Sequence, residues 1–286
     1  MRTAEDSVKR CAVLGSPISH SLSPALHAAA YARLGLDWTY EAVEVESSDL
    51  ARFLDGLDRT WRGLSLTMPL KRIVVPLVDS VDEWTRLSGV ANTVLLADGG
   101  RQGCNTDIPG AMAALVERVH EPLRSAAVLG GGATATSVLL ALVELGCTSA
   151  QILVRDPSRA AETVAAVATH PRAPRVSVTT IADAGPLDVD IVVSTVPATA
   201  QTAGVLAACA EAPTVFEVVY DPWPTPVARA ALESGRRLVS GLDLLAHQAI
   251  IQVELMTGRP VPVDLVRDAG RAELTRRAVQ NAVEQA

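Results

Sequence analysis

Lysine is almost missing from this chain: of 25 Lys+Arg residues, only Lys9 and Lys71 are lysine. Arginine therefore carries the surface charge. Aromatic residues are also scarce, at 3% against 49% hydrophobic overall, so the core must be aliphatic and rich in alanine. There is no basic run and the net charge is −7, which argues against nucleic acid as a partner. The four cysteines, Cys11, Cys104, Cys147 and Cys209, show no C-x-x-C spacing, and the five histidines lack the spacing of metal ligands. The cysteines read as buried thiols of a reducing compartment, and no metal site is expected. The first ten residues mix charges of both signs and the apolar run after them is short, so neither a signal peptide nor a membrane span is expected. These absences predict a cytoplasmic protein; the expected partner is a small molecule and the expected state a monomer or homodimer. Asparagine is rare too, with only Asn92, Asn105 and Asn281.

What remains is therefore conspicuous. Lys71 ends the stretch Gly63-Leu-Ser-Leu-Thr-Met-Pro-Leu-Lys71, in which an alternating apolar strand runs into Thr67 and Pro69 turns the chain. Arginine stays protonated under nearly all conditions, whereas lysine can release and retake a proton. Two readings stand: a surface lysine kept by chance, or an amine placed beside a hydroxyl at a strand end for chemistry. Asn92 and Asn105 lie in similar contexts, Ala91-Asn-Thr93 and Cys104-Asn-Thr-Asp107. An amide on a short stem suits a hydroxyl-rich ligand, and it equally suits a turn.

Strands and helices alternate along all 286 residues, which predicts an α/β fold with mostly parallel sheets. Cys11–Gly15, Thr39–Val45 and Gly63–Met68 read as strands. Ser23–Gly35 reads as a helix with Ser23 as N-cap, Pro24 in its first turn and Gly35 as its stop. Asp49–Leu57 reads as a helix capped by Asp49. Val94–Ala97 and the stretch up to Cys104 form a hairpin around Asp98-Gly-Gly100. Ile108–Val119 follows as a helix, and His120–Ser125 is a polar break.

After the break, Ser125–Gly130 is a buried strand leading into Gly130-Gly-Gly-Ala-Thr-Ala135, which fits G-x-G-x-x-A through Gly130, Gly132 and Ala135. A helix over Thr136–Leu145 and a strand over Gln151–Val154 complete the βαβ context of a dinucleotide site. Gly130, Gly131, Gly132, Ala133, Thr134 and Ala135 would then meet the pyrophosphate. At the end of the second strand stand Arg155 and Arg159, a pair suited to a 2′-phosphate and hence to NADP. Asp156 between them reads as the cap of a helix beginning at Pro157. Strands follow at Val176–Thr179, Val189–Thr195, Thr214–Val219 and Arg237–Val239. Helices at Leu244–Thr257 and Asp264–Val283 close the chain, the first carrying Gln248 on a mostly apolar segment.

Taken together, Gly15-Ser-Pro-Ile-Ser-His-Ser-Leu-Ser-Pro24 with His27, Leu66–Lys71, Ala91-Asn-Thr93, Asn105-Thr-Asp107, the glycine turn, the two arginines, Tyr220-Asp-Pro-Trp-Pro-Thr-Pro226 and Gln248 resemble the shikimate dehydrogenase family over nearly the whole chain. The resemblance implies a substrate domain built from both chain ends, over residues 1–107 and 243–286, around a Rossmann NADP domain over 108–242. It implies that Ser21 and Ser23 hold a substrate carboxylate, with Tyr220 helping. Thr67, Lys71, Asn92, Asp107 and Gln248 would hold the ring hydroxyls. Thr195, Val196 and Gly241 would join the glycine turn and the arginines at the cofactor. Ser65 stands where many relatives carry Asn, Ile108 where Gly is usual, and Asp156 where Thr is frequent. The expected reaction is reversible, NADPH-dependent reduction of 3-dehydroshikimate to shikimate, with Lys71 as acid–base group paired by Asp107 in a cleft between the domains. A quinate or broader polyol dehydrogenase, and a non-catalytic NADP or metabolite sensor, are the alternatives.

Overall fold

The computed structural model describes residues 8–97 and 100–284, with side chains described to Gln280. Most of the N-terminal segment, the Asp98–Gly99 turn and the Asn281 side chain lie outside the described residues. Contacts divide the chain into two units, one holding residues up to Thr106 together with those from Leu245 onward, the other holding Asp107–Leu244.

The first unit opens with β1 (Arg10–Gly15), α1 (Ser23–Leu34), β2 (Thr39–Glu44), α2 (Leu50–Asp55), β3 (Trp61–Leu66) and α3 (Leu70–Ile73). It continues with β4 (Ser80–Val81), α4 (Glu83–Ser88), β5 (Thr93–Ala97) and β6 (Gly100–Cys104). The sheet order is β2-β1-β3-β5-β6-β4. β1 pairs in parallel with β2 and β3, while β3, β5 and β6 run antiparallel in turn, closing the expected hairpin through Ala97 and Gly100. Alternation along the central strands divides the core between two faces. Ala12, Leu14, Leu64 and Leu66 meet Leu50, Leu54, Leu70 and Val74 on one face. Cys11 meets Tyr31 and Met256 on the other.

Two capping expectations are corrected. Ser23 is already inside α1, and the residue before it, Leu22, is helical. Instead the Ser21 hydroxyl accepts the Ser23 backbone N–H at 3.3 Å. Asp49 does precede α2, but its carboxylate is taken by Arg52 at 2.6 Å and caps no amide. Gly35 ends α1 as expected, at φ 68°, a left-handed conformation that glycine adopts without a Cβ clash.

The second unit runs α5 (Asp107–Arg118), β7 (Ser125–Leu129), α6 (Ala133–Glu144), β8 (Ser149–Val154), α7 (Ala161–Ala168), β9 (Arg175–Thr180), β10 (Ile191–Ser194), α8 (Ala203–Ala208), β11 (Thr214–Glu217), α9 (Pro226–Glu233) and β12 (Arg237–Ser240). Its sheet is wholly parallel in the order β12-β11-β10-β7-β8-β9. The order reverses between β7 and β10, the switch point at which doubly wound sheets bind ligands. β10 and β11 are buried at every position, as strands covered on both faces require. Last come α10 (Gly241–Thr257) and α11 (Val263–Glu284), and α11 packs along α1. The four cysteines are free and buried.

Candidate active site

In the first unit the side chains of interest gather where β3, β5 and α10 meet. Thr67 follows β3 directly, and its N–H donates to Leu14 O at 2.9 Å. Gly15 makes this approach possible: a Cβ there would lie 2.4 Å from Thr67 Cγ2 and 2.8 Å from the Met68 carbonyl. Lys71 sits in the single helical turn α3, not on the strand itself, because Pro69 and Leu70 turn the chain first. Its carbonyl accepts the Ala91 N–H at 2.8 Å, so the half-buried lysine is pinned one residue from Asn92.

Asn92 is 2% exposed, with both ends of its amide hydrogen-bonded. Its Nδ2 donates to Thr106 Oγ1 at 2.8 Å and approaches Gln248 Oε1 at 3.3 Å, while its Oδ1 accepts from Thr106 N at 2.8 Å and Thr93 Oγ1 at 3.0 Å. Gln248, expected to need polar partners on its apolar helix, finds them here, and its Nε2 donates to Leu245 O at 3.0 Å. Positions 92 and 248 are thus joined through one hydroxyl. Asn105, its sequence context so similar to that of Asn92, is used differently. Its amide donates to Ser88 Oγ and Val90 O, both at 3.1 Å, and ties the α4–β5 turn.

The loop carrying Ser21 and Ser23 is held by α11. Arg277 donates through Nη1 to His20 O and through Nη2 to Ser21 O, both at 2.9 Å. Glu273 orients Arg277 at 2.8 Å, and hydrogen bonds from Arg276 and then Arg277 draw its carboxyl down to about 2. Behind that loop the Tyr40 phenol donates to Ser65 Oγ at 2.6 Å, and burial drives its pKa well above its ordinary range. Sequence reasoning missed Arg277, because an arginine on a long charged helix looks like solvated surface.

In the second unit the expected glycine turn leaves β7 with Gly130 at φ 105°. A Cβ on Gly130 would lie 2.3 Å from Thr195 Oγ1, and one on Gly131 would lie 2.5 Å from Arg159 O. Thr195 in turn donates to Leu129 O at 2.7 Å, and Thr163 donates to Gly131 O at 2.9 Å. On the Gly132 side nothing lies within 4 Å of where a Cβ would be. Gly132 is extended and caps α6, which starts at Ala133 rather than Thr136. The first-turn amides of Ala133, Thr134 and Ala135 therefore have no acceptor in their own helix. A turn crowded against protein on one side and open on the other, at the N-terminus of a 12-residue helix, fits the pyrophosphate of a dinucleotide.

Arg155 and Arg159 are exposed just past β8. Asp156 between them caps the short 3-10 turn Pro157–Ala160, accepting Ser158 N–H at 2.9 Å. That bond, with a smaller contribution from Arg159, holds its carboxyl below the usual range. Val196 is half-buried beyond Thr195. Gly241 lies where a Cβ would fall 2.1 Å from the Val218 carbonyl, so it is needed for backbone packing whatever else it touches.

Tyr220 follows β11 in a loop anchored by Glu217, a carboxylate with 0% exposure inside an apolar strand. Glu217 accepts from Gln201 Nε2 at 2.7 Å, Thr225 Oγ1 at 2.8 Å and Val219 N at 3.0 Å. Burial raises its pKa against the pull of those donors. An acid in the run Thr-Val-Phe-Glu-Val was the signal that sequence reasoning passed over. Among the described residues no group of three His, Cys, Asp or Glu could hold a metal, and no helix is long and apolar enough to cross a membrane.

Comparison with known proteins adds the following. Residues 13–94 match the family model described as shikimate dehydrogenase substrate binding domain, and residues 241–269 match the shikimate 5'-dehydrogenase C-terminal domain. A shikimate dehydrogenase (NADP(+)) of Moorella thermoacetica is 35% identical, over 88% of this chain and 89% of that one. The crystal structure of Mycobacterium tuberculosis shikimate dehydrogenase superposes with a TM-score of 0.84 at 36% identity, over 92% of this chain and 99% of that one. Shikimate 5-dehydrogenase of Thermus thermophilus in complex with NADP(H) and shikimate superposes with a TM-score of 0.78 at 30% identity, over 92% and 99%.

Proposed function

The chain belongs to the shikimate dehydrogenase family, and from that premise we propose how its own residues carry out the family's reaction. It is an NADP-dependent oxidoreductase that interconverts 3-dehydroshikimate and shikimate. The single observation that carries the residue assignment is the buried junction of Asn92, Thr106 and Gln248 beside the backbone of Lys71. It assembles amide and hydroxyl groups from three separated segments at a place where the backbone of Lys71 is also held. A polyhydroxylated ring with a carboxylate needs such a set.

When bound, NADP(H) donates or accepts the hydride at the ring carbon. Lys71 gives a proton to the oxygen as the carbonyl is reduced, and takes it back in the oxidation. Positioned acid–base catalysis of this kind contributes roughly 10²- to 10⁴-fold. Asn92 and Gln248 orient ring hydroxyls, as does Thr67 from the end of β3. Asp107, at the start of α5, accepts from a further hydroxyl. Ser21 and Ser23 bind the carboxylate from the loop that Arg277 holds. Arg155 and Arg159 pair with the 2′-phosphate, and the open side of the glycine turn takes the pyrophosphate, with Thr195, Val196 and Gly241 nearby in the cofactor site.

The test is direct. Purified protein is mixed with shikimate and NADP⁺, and the absorbance of NADPH is followed. Turnover is expected with shikimate and NADP⁺, with much weaker turnover when NAD⁺ replaces NADP⁺. Absence of turnover with ligand binding intact would instead mark a sensor.

A further inference from the structure

Gln252 stands one turn beyond Gln248 on α10, is 1% exposed, and has both ends of its amide engaged. Its Nε2 donates to Thr93 Oγ1 at 2.8 Å and reaches Asn92 O at 3.4 Å. Its Oε1 accepts from Ser65 Oγ at 2.8 Å and from His27 Nε2 at 3.3 Å. The Asn92 carbonyl can only accept, and it already takes the Leu66 N–H at 2.7 Å. That fixed acceptor settles which end of the amide faces β5, since the reverse orientation would set one carbonyl oxygen against another.

The orientation propagates through the neighbours. Ser65 must donate to Gln252, so it accepts from Tyr40, whose hydroxyl lies 2.6 Å away. The Tyr40 hydroxyl is then the donor at that end of the run. On the other side Thr93 accepts from Gln252 and donates to Asn92 Oδ1, which frees Asn92 Nδ2 for Thr106 and Gln248. One continuous run of hydrogen bonds, all pointing the same way, joins Tyr40 to Gln248. His27 seconds the arrangement: it stacks on Tyr40 at 3.9 Å, is wholly buried, and is kept neutral by that burial, its pKa falling to about 3.

We propose that Gln252 is a positioning residue of the substrate site, which sets the Tyr40–Ser65 end and the Asn92–Gln248 end in a single hydrogen-bonding direction without touching substrate. The inference rests on the shikimate reading above. It explains how a small residue, Ser65, serves at the end of β3, because the amide that its short side chain lacks arrives from α10. Removing Gln252 leaves Ser65 and Thr93 with no common partner, and the two ends are no longer set relative to each other.

The experiment is steady-state kinetics on Gln252→Met, which keeps length and loses the amide. The KM for shikimate should rise ~10-fold or more, as loss of a buried hydrogen-bond pair predicts, with kcat within ~3-fold and the KM for NADP⁺ unmoved. Adding Ser65→Asn to Gln252→Ala returns an amide from the strand side, and should bring the shikimate KM back to within ~3-fold of the parent. A shikimate KM within ~2-fold of the parent in Gln252→Met, or equal rises for shikimate and NADP⁺, overturns the proposal. If Gln252→Met does not fold, Ser65→Ala breaks the same run by one hydroxyl. It should raise the shikimate KM ~5-fold, and an unmoved KM there overturns the proposal equally. Failure of the parent protein to turn over shikimate refutes the functional reading itself; turnover with unmoved variant constants refutes this inference alone.

Discussion

The sites proposed for the two units are built from different material. In the first, side chains make the site: Asn92, Thr106, Gln248, Gln252, Ser65 and Tyr40 are tied to one another by hydroxyls and amides. In the second, backbone makes it: three glycines, the bare amides of a helix N-terminus, and two exposed arginines past the next strand. The difference follows from the ligands. A ring bearing hydroxyls in fixed positions is told from its relatives only by donors and acceptors at fixed positions, which interlocked side chains supply. A pyrophosphate needs close approach and positive potential, which a turn without side chains supplies. Substitutions in the first unit should therefore move constants for shikimate, and substitutions in the second should move constants for the cofactor.

The largest effect belongs to Lys71. Lys71→Ala should lower kcat by ~10²-fold or more with a small change in shikimate KM, because it removes the proposed acid–base group, which would act mainly in the transition state. Lys71→Arg should fare little better, since a guanidinium keeps its charge but does not release its proton. Stopped-flow measurement of NADPH formation checks both, and a Lys71→Arg variant near parental kcat would reduce the lysine to a binding charge.

Next comes the glycine turn. In Gly131→Ala the new Cβ meets the Arg159 carbonyl at 2.5 Å and the Ala160 backbone at 2.9 Å, neither of which is a flexible side chain. The turn must shift, and overpacking of this kind costs about 1–3 kcal/mol. The KM for NADP⁺ should rise ~10-fold or more while shikimate KM stays within ~3-fold. If both constants rise together, the contrast between the units fails. Neutral replacement of Arg155 and Arg159 together should be comparable or milder, and selective: NADP⁺ KM up ~10-fold and NAD⁺ KM little changed, since only the 2′-phosphate is lost as a partner.

Much of this was legible in the residues, and the exceptions have physical reasons. The parallel sheet of the second unit followed from buried runs such as Ile191–Ser194, and the glycine turn from its flanking strands. The cap at Asp156 was also readable, because Asp before Pro has few other uses. The Ser23 cap misled, since two serines two residues apart offer the same signal and Ser21 supplied the hydroxyl. Asp49 misled because Arg52 outbid the amides for its carboxylate. Gln252, Arg277 and Glu217 showed at most an isolated polar residue in the local pattern, and nothing of their partners. Their partners lie 187, 256 and 16 positions away, and a polar residue on an apolar face announces a need without naming what meets it.

A smaller effect separates two asparagines in similar contexts. Asn105→Ala removes bonds to Ser88 and Val90 and leaves a buried carbonyl and a hydroxyl without them. It should destabilise by about 1–3 kcal/mol in urea unfolding, with shikimate and NADP⁺ constants within ~2-fold of the parent. Asn92→Ala should cost stability too, but raise the shikimate KM as well. Equal kinetic effects at the two positions would show that the pairing of sequence contexts reflects a shared role.

The smallest expected effect is at Asp156. Its carboxylate stands between two guanidiniums assigned to a phosphate, and a free negative charge there would repel that phosphate. The structure spends the charge elsewhere: it accepts the Ser158 N–H at 2.9 Å and caps the turn at Pro157–Ala160, which holds its pKa below the usual carboxylate range. The carboxylate is therefore ionised throughout the neutral range, and its effect should not vary with pH between roughly 6 and 9. Asp156→Asn retains a side-chain oxygen that caps nearly as well and removes the charge. The ratio of kcat/KM for NADP⁺ over NAD⁺ should rise by only ~2-fold, because an exposed charge is screened within about a Debye length of solvent. A rise of ~10-fold or more would mean that Asp156, not the arginine pair, sets the cofactor preference, and the second unit would then read its ligand by a side chain after all.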